Sequence, residues 1–99
     1  MKRVVVTGLG IVSCIGNTQK EVIDSLKNLI SGIIEAPEYK EFSFRSLVHG
    51  KPKINLTDII DRKILRFMGD GAGYNYIAMK NAIEDAGLKE NEISNEMTG

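Results

Sequence analysis

Val4-Val5-Val6-Thr7, preceded by Arg3, sets β-branched side chains at consecutive positions. That is the pattern of a strand covered on both faces, since a half-solvated strand would alternate between apolar and polar residues. A strand of this kind needs hydrogen-bonded neighbours on each side. After it the chain offers helices, a long loop and one weak extended stretch from Ser46 to Ile54, and two strands alone are marginal in water. The expectation is that residues 1–99 are the opening segment of a larger α/β domain.

Composition is that of ordinary globular material, with 42% apolar and 26% charged residues, which excludes a disordered or fibrous chain. Thirteen Lys plus Arg balance thirteen Asp plus Glu. No global field therefore draws the chain to nucleic acid or an anionic membrane, and any charge-based partner has to be sought locally. No apolar run approaches the ~20 residues that span a bilayer, and no secretory h-region precedes the first strand. The single cysteine excludes an internal disulfide framework, so a cytoplasmic location is the default expectation.

Gly8-Leu9-Gly10-Ile11-Val12-Ser13 stops one residue short of the dinucleotide fingerprint G-x-G-x-x-G. In that fingerprint the helix begins within the glycine turn, so that its amides meet a pyrophosphate. Here the helix start signal lies later. Thr18-Gln19-Lys20-Glu21 has capping-box spacing, with a hydroxyl placed to accept from the amide three residues on and a carboxylate that reaches back. Gly8 to Asn17 is then a connection whose small residues allow backbone to pack closely. Beyond Thr18, residues Val22, Ile23, Leu26, Leu29 and Ile30 form one apolar stripe at the helical period, with Gly32 as the expected C′ residue. From there to Arg45 no period is sustained, although Pro37, Tyr39, Phe42 and Phe44 are present, and a loop of that length usually covers a subunit surface or a site wall.

Two residues that invite a chemical role carry none. His49 has no second His, no thiolate cluster and no acidic residue at ligand spacing, so it is assigned to structure or surface. Cys14 has nothing nearby in sequence that would activate it as a nucleophile and is assigned to packing. No motif calls for a cofactor or a metal.

In Ile59 to Met68 the residue Asp61 is placed to cap a helix start. On that helix Ile60, Ile64, Phe67 and Met68 fall on one side, and Arg62, Lys63 and Arg66 gather on the other. The cluster is either a solvated helix face or a dock for an acidic protein surface. As a dock, each exposed ion pair contributes only ~0.2–1 kcal/mol, which favours encounter rate and orientation over tight affinity. Asp70 to Ala86 is helical by period but rich in small residues, and glycines at 69, 71 and 73 cost ~1 kcal/mol each in a helix interior. Close approach of neighbouring backbone is expected to offset that cost. Gly87-Leu88 fits a Schellman stop, and Lys89 to Gly99 is a polar connection.

Taken together, Lys2 to Asn17 (KRVVVTGLGIVSCIGN), Phe44-Arg45-Ser46, Ile60 to Met68 (IDRKILRFM) with Asp70, and AIEDAGL from Ala82 resemble the N-terminus of the β-ketoacyl-[acyl-carrier-protein] synthases, the condensing enzymes of the thiolase-like superfamily. The resemblance covers essentially the whole chain, and the segment D-R-K-x-x-R-F-M points to the type I class. It implies a partial thiolase-like fold: the first strand and early helices of the N-terminal half of a layered α/β/α/β/α architecture that dimerises when whole. On this reading, residues 1–99 are an incomplete N-terminal part of the synthase N-terminal domain.

The implied chemistry is transfer of an acyl chain to an active-site Cys and decarboxylative condensation with a malonyl carrier, assisted by two His residues and an oxyanion hole. None of those catalytic residues lies within residues 1–99, and neither Cys14 nor His49 inherits their roles. What carries over is a partner site, because Arg62, Lys63 and Arg66 match basic positions that in such synthases meet the acidic helix of the acyl carrier protein. Two departures stand out. Cys14 occupies a position where Ser or Pro is usual, and Asn28-Leu29-Ile30 precedes Ser31-Gly32-Ile33 where a basic residue is usual. The alternatives to a synthase segment are a freestanding module that binds an acyl carrier, or a shortened gene product that folds poorly and performs no task.

Overall fold

Ile33–Glu35 (β1) and Val48–Gly50 (β2) pair antiparallel, with Ile33 opposite Gly50, Ile34 opposite His49 and Glu35 opposite Val48. This two-stranded sheet is the only one in the computed structural model, which describes residues 1–99. The chain divides into two units, residues 12–55 and residues 1–11 together with 56–99.

In the unit of residues 12–55 a tight turn, closed by the Ser13 amide on the Gly16 carbonyl (2.9 Å) and the reverse bond (3.3 Å), leads into helix α1, Gln19–Lys27. The cap forms as its spacing predicts. The Thr18 hydroxyl accepts from the Glu21 amide at 3.2 Å, while the Glu21 carboxylate accepts from the Asn17 amide at 2.7 Å, one residue before the expected partner. The helix stops differently from the expectation. Leu29, not Gly32, takes the left-handed conformation (φ 55°), and the Leu29 and Ile30 amides close back on the Leu26 and Ser25 carbonyls. Gly32 serves close approach instead: a Cβ built there would lie 2.6 Å from the Cys14 carbonyl carbon and 2.8 Å from its Sγ.

The stretch expected to be loop contains β1 and a short helix α2, Pro37–Glu41, which starts on proline at the first helical position, where its missing N–H costs nothing. Ala36 at the head of α2 is the one fully buried apolar residue of this unit, and its amide donates to the Leu47 carbonyl at 2.8 Å. Tyr39, Phe44 and His49 form an edge-on aromatic cluster over the hairpin, with ring centroids 5.1 and 5.3 Å from Tyr39.

The other unit is built on helix α5, Asp70–Ala86, preceded by two single-turn helices, α3 (Leu56–Ile59) and α4 (Arg62–Leu65), and followed by α6 (Glu90–Ile93). Its core is Leu56, Ile60 and Ile77. At the end of α5, Gly87 is left-handed (φ 66°), with the Gly87 and Leu88 amides on the Glu84 and Ile83 carbonyls, the Schellman stop read from the sequence. The segment Lys89 to Gly99 carries more order than a connection, since α6 begins with the Glu92 carboxylate accepting from the Lys89 amide at 2.7 Å.

Small residues of α5 do meet backbone, though not through its own glycines. A Cβ built on Gly10 would lie 2.6 Å from the Ala82 nitrogen, and one on Gly8 would lie 2.6 Å from the Ala86 nitrogen. The N-terminal segment therefore runs against the Ala78, Ala82 and Ala86 face, and the Leu9 amide donates to the Asp85 carboxylate at 2.9 Å. Of the three glycines before and within α5, only Gly73 is crowded, by the Leu56 side chain at 2.7 Å, whereas Gly69 and Gly71 have open space.

The valine run is unpaired. Residues 1–12 make no sheet hydrogen bonds, and Val4, Val5 and Val6 are 92, 71 and 89% exposed. The weak stretch from Ser46 to Ile54 does supply a strand, β2, but it pairs with β1.

Candidate functional site

The three cations that the sequence singles out stand on one short turn. Asp61 caps α4 by accepting from the Lys63 amide through its carboxylate at 2.7 Å, which satisfies one of the otherwise unpaired amides of the first turn. Ile60, 3% exposed, anchors the turn from below, and its amide donates to the Leu56 carbonyl at 2.9 Å. The cap and the anchor fix the backbone from which Arg62 and Lys63 project. Arg66 follows as the C-terminal cap, its amide on the Arg62 carbonyl at 3.2 Å.

Arg62, Lys63 and Arg66 are all exposed, and no carboxylate lies within ion-pair distance of any of them. A set of cations with no direct ion-pair partner raises the local positive potential of a neutral chain, which attracts an acidic surface and screens with salt. The apolar side of the turn is less uniform than the helical period predicts. Ile60 is buried, but the turn ends at Leu65 and Phe67 projects into solvent at 79% exposure, with the Arg66 guanidinium carbon 4.6 Å from its ring centroid. Sequence period alone placed Phe67 with the core residues. The signal that could have found it otherwise is adjacency, because an Arg-Phe pair at the end of a helix leaves both side chains free of helical constraint.

The two residues set aside as chemically silent have packing partners. Cys14 is half-buried, with its Sγ against the hairpin glycine Gly50 as well as Gly32. His49 Nδ1 lies 3.4 Å from the Tyr39 hydroxyl and 3.9 Å from Glu38 Oε1. This acidic partner was invisible in sequence, since Glu38 reaches His49 only once β2 folds back beside α2. No group of three or more His, Cys, Asp or Glu side chains is placed to hold a metal ion, and no helix is long and apolar enough to cross a membrane.

Comparison with known proteins agrees with the residues quoted from the sequence. The family model described as beta-ketoacyl synthase, N-terminal domain, matches residues 1–99. The chain is 54% identical over 99 residues to 3-oxoacyl-[acyl-carrier-protein] synthase 1 of Haemophilus influenzae, covering all of this chain and 24% of that protein. It is 50% identical over 95 residues to the enzyme of the same name from Escherichia coli, covering 96% of this chain and 23% of the relative. Against 3-oxoacyl-[acyl-carrier-protein] synthase 2 of Staphylococcus aureus the identity is 32% over 99 residues, with 24% of that protein covered. The chain thus spans about a quarter of the length of the curated relatives it matches. A family match over every residue and identities of half or more leave one assignment: the chain belongs to the beta-ketoacyl synthase family, within its N-terminal domain.

Proposed function

We propose that residues 1–99 form the N-terminal quarter of a type I 3-oxoacyl-[acyl-carrier-protein] synthase, an acyltransferase that elongates fatty acyl chains by decarboxylative condensation with malonyl carrier. The observation that carries this reading is the gap in identity, 54% with a synthase 1 against 32% with a synthase 2 over alignments that each span nearly the whole chain. The nucleophile, both histidines and the oxyanion hole belong to sequence outside these residues, so the segment by itself is inactive. In the thiolase-like layering, the three exposed valines take lateral strands from that same sequence, which supports the synthase segment over a freestanding module. The whole enzyme is a homodimer.

Within this segment the task is recognition of the carrier. Arg62, Lys63 and Arg66 present the basic surface, and the acidic helix of the acyl carrier protein is its counterpart. Their exposure and lack of internal ion pairs support this role, since a cation already neutralised by its own chain would add little steering. Arg66→Glu in the complete enzyme should weaken association with the carrier by up to about fivefold for the lost pair, with a further loss from like-charge repulsion. It should also flatten the salt dependence. Stopped-flow association at low and high salt measures both, and unchanged association at low salt removes the assignment.

A further inference from the structure

We infer that Phe67 is a positioning residue for carrier docking: its ring holds the Arg66 guanidinium where it can meet a carboxylate. The inference rests on the docking reading above and adds to it which cation is ordered before the partner arrives, and by what. The guanidinium carbon sits 4.6 Å from the Phe67 centroid, within the range in which a ring quadrupole attracts a cation. A guanidinium carries five N–H donors, so one held against a ring keeps donors for the bidentate geometry that matches a carboxylate.

The backbone beneath the pair is held on both residues, with the Arg66 amide on the Arg62 carbonyl at 3.2 Å and the Phe67 amide on the Ile64 carbonyl at 3.1 Å. Arg62 and Lys63 have no such ring contact. Their side chains must lose rotamer freedom when a partner binds, whereas Arg66 has lost part of it already, and that difference favours Arg66 as the anchor of the patch. The occupant follows from charge: three exposed cations without an ion-pair partner, one of them held against a ring, fit an acidic helix that offers carboxylates. Phe67 itself is 79% exposed and fills no core within residues 1–99, so replacing it leaves no cavity in this segment.

The test uses the full chain of the protein and unacylated acyl carrier protein, with affinity measured by calorimetry across a salt series. Phe67→Leu keeps apolar bulk but removes the quadrupole, and it should weaken association by about two- to fivefold, the range of an exposed cation–π contact. It should do so by the same factor at every salt concentration, since no charge is lost. Phe67→Trp should restore or tighten binding, and on an Arg66→Gln background Phe67→Leu should have no further effect. A Phe67→Leu protein that binds like wild type, or losses from Phe67→Leu and Arg66→Gln that simply add, overturns the inference while leaving docking intact. Arg62→Glu and Lys63→Glu that both leave association unchanged overturn the docking reading, and this inference with it.

Discussion

The unit of residues 1–11 and 56–99 and the unit of residues 12–55 reach order by different routes. The first places Leu56, Ile60 and Ile77 in a core around one long helix, while the second buries a single small side chain, Ala36, beneath a three-residue hairpin and an aromatic cluster. A helix closes its interior backbone hydrogen bonds within itself, so all of α5 but its end turns satisfies its backbone polar groups whatever surrounds it. A strand cannot, and the contrast appears inside the first unit too. Val4–Val6 have stronger strand character than Ile33–Glu35, yet only the latter are paired, because β2 is close enough in sequence to fold back on them. Strand propensity creates a demand, and chain connectivity decides whether it is met.

That contrast can be broken most forcefully in the core. Ile60→Ala should destabilise the first unit by about 2–5 kcal/mol, the cost of a buried large-to-small change, whereas Ile34→Ala on the half-open hairpin, 47% exposed, should cost well under that. Chemical denaturation followed by amide signals from each unit measures both, and equal losses would erase the distinction between a core-held and a hairpin-held unit. Next in size is the close approach of Gly10 to α5. Gly10→Val must displace backbone of Ala78 and Ala82 and should cost about 1–3 kcal/mol as an overpacked contact, measured as a shift in the denaturation midpoint.

The smallest effect sharpens the comparison, because the two units end their main helices with the same hydrogen-bond motif but different residues. Gly87 occupies the left-handed position after α5 and Leu29 occupies it after α1. A residue with a Cβ pays roughly 1 kcal/mol there. Gly87→Ala should therefore destabilise by about 1 kcal/mol, and Leu29→Gly should stabilise by a similar amount, since Leu29 is exposed and little burial is lost. Thermal melting of the two variants gives opposite signs if the left-handed conformation is the cause.

What was legible in the sequence is local. Thr18 and Asp61 cap their helices, and Gly87 and Leu88 end α5, because each signal acts within four or five residues of itself. The exposed basic trio was legible for the same reason. The hairpin was not, because Ile33–Glu35 is too short to show a period and its partner lies beyond residues 36–47. The Leu29 stop was hidden because leucine is a poor residue for that conformation. The approach of Glu38 to His49 and the contact of the Arg66 guanidinium with the Phe67 ring were also hidden, since both depend on where side chains point after the backbone has closed.

By itself the sequence determined the family, the helix boundaries that have caps, the absence of any net charge and the position of the cationic cluster, all of which follow from residue identity at short range. Only the tertiary structure decided that Gly8 and Gly10 lie on the alanine face of α5, that β1 takes β2 as its partner and that nothing within residues 1–99 covers Val4–Val6. These depend on contacts between residues far apart in the chain, where the entropy of closing a loop and the shape of the opposing surface outweigh any local preference.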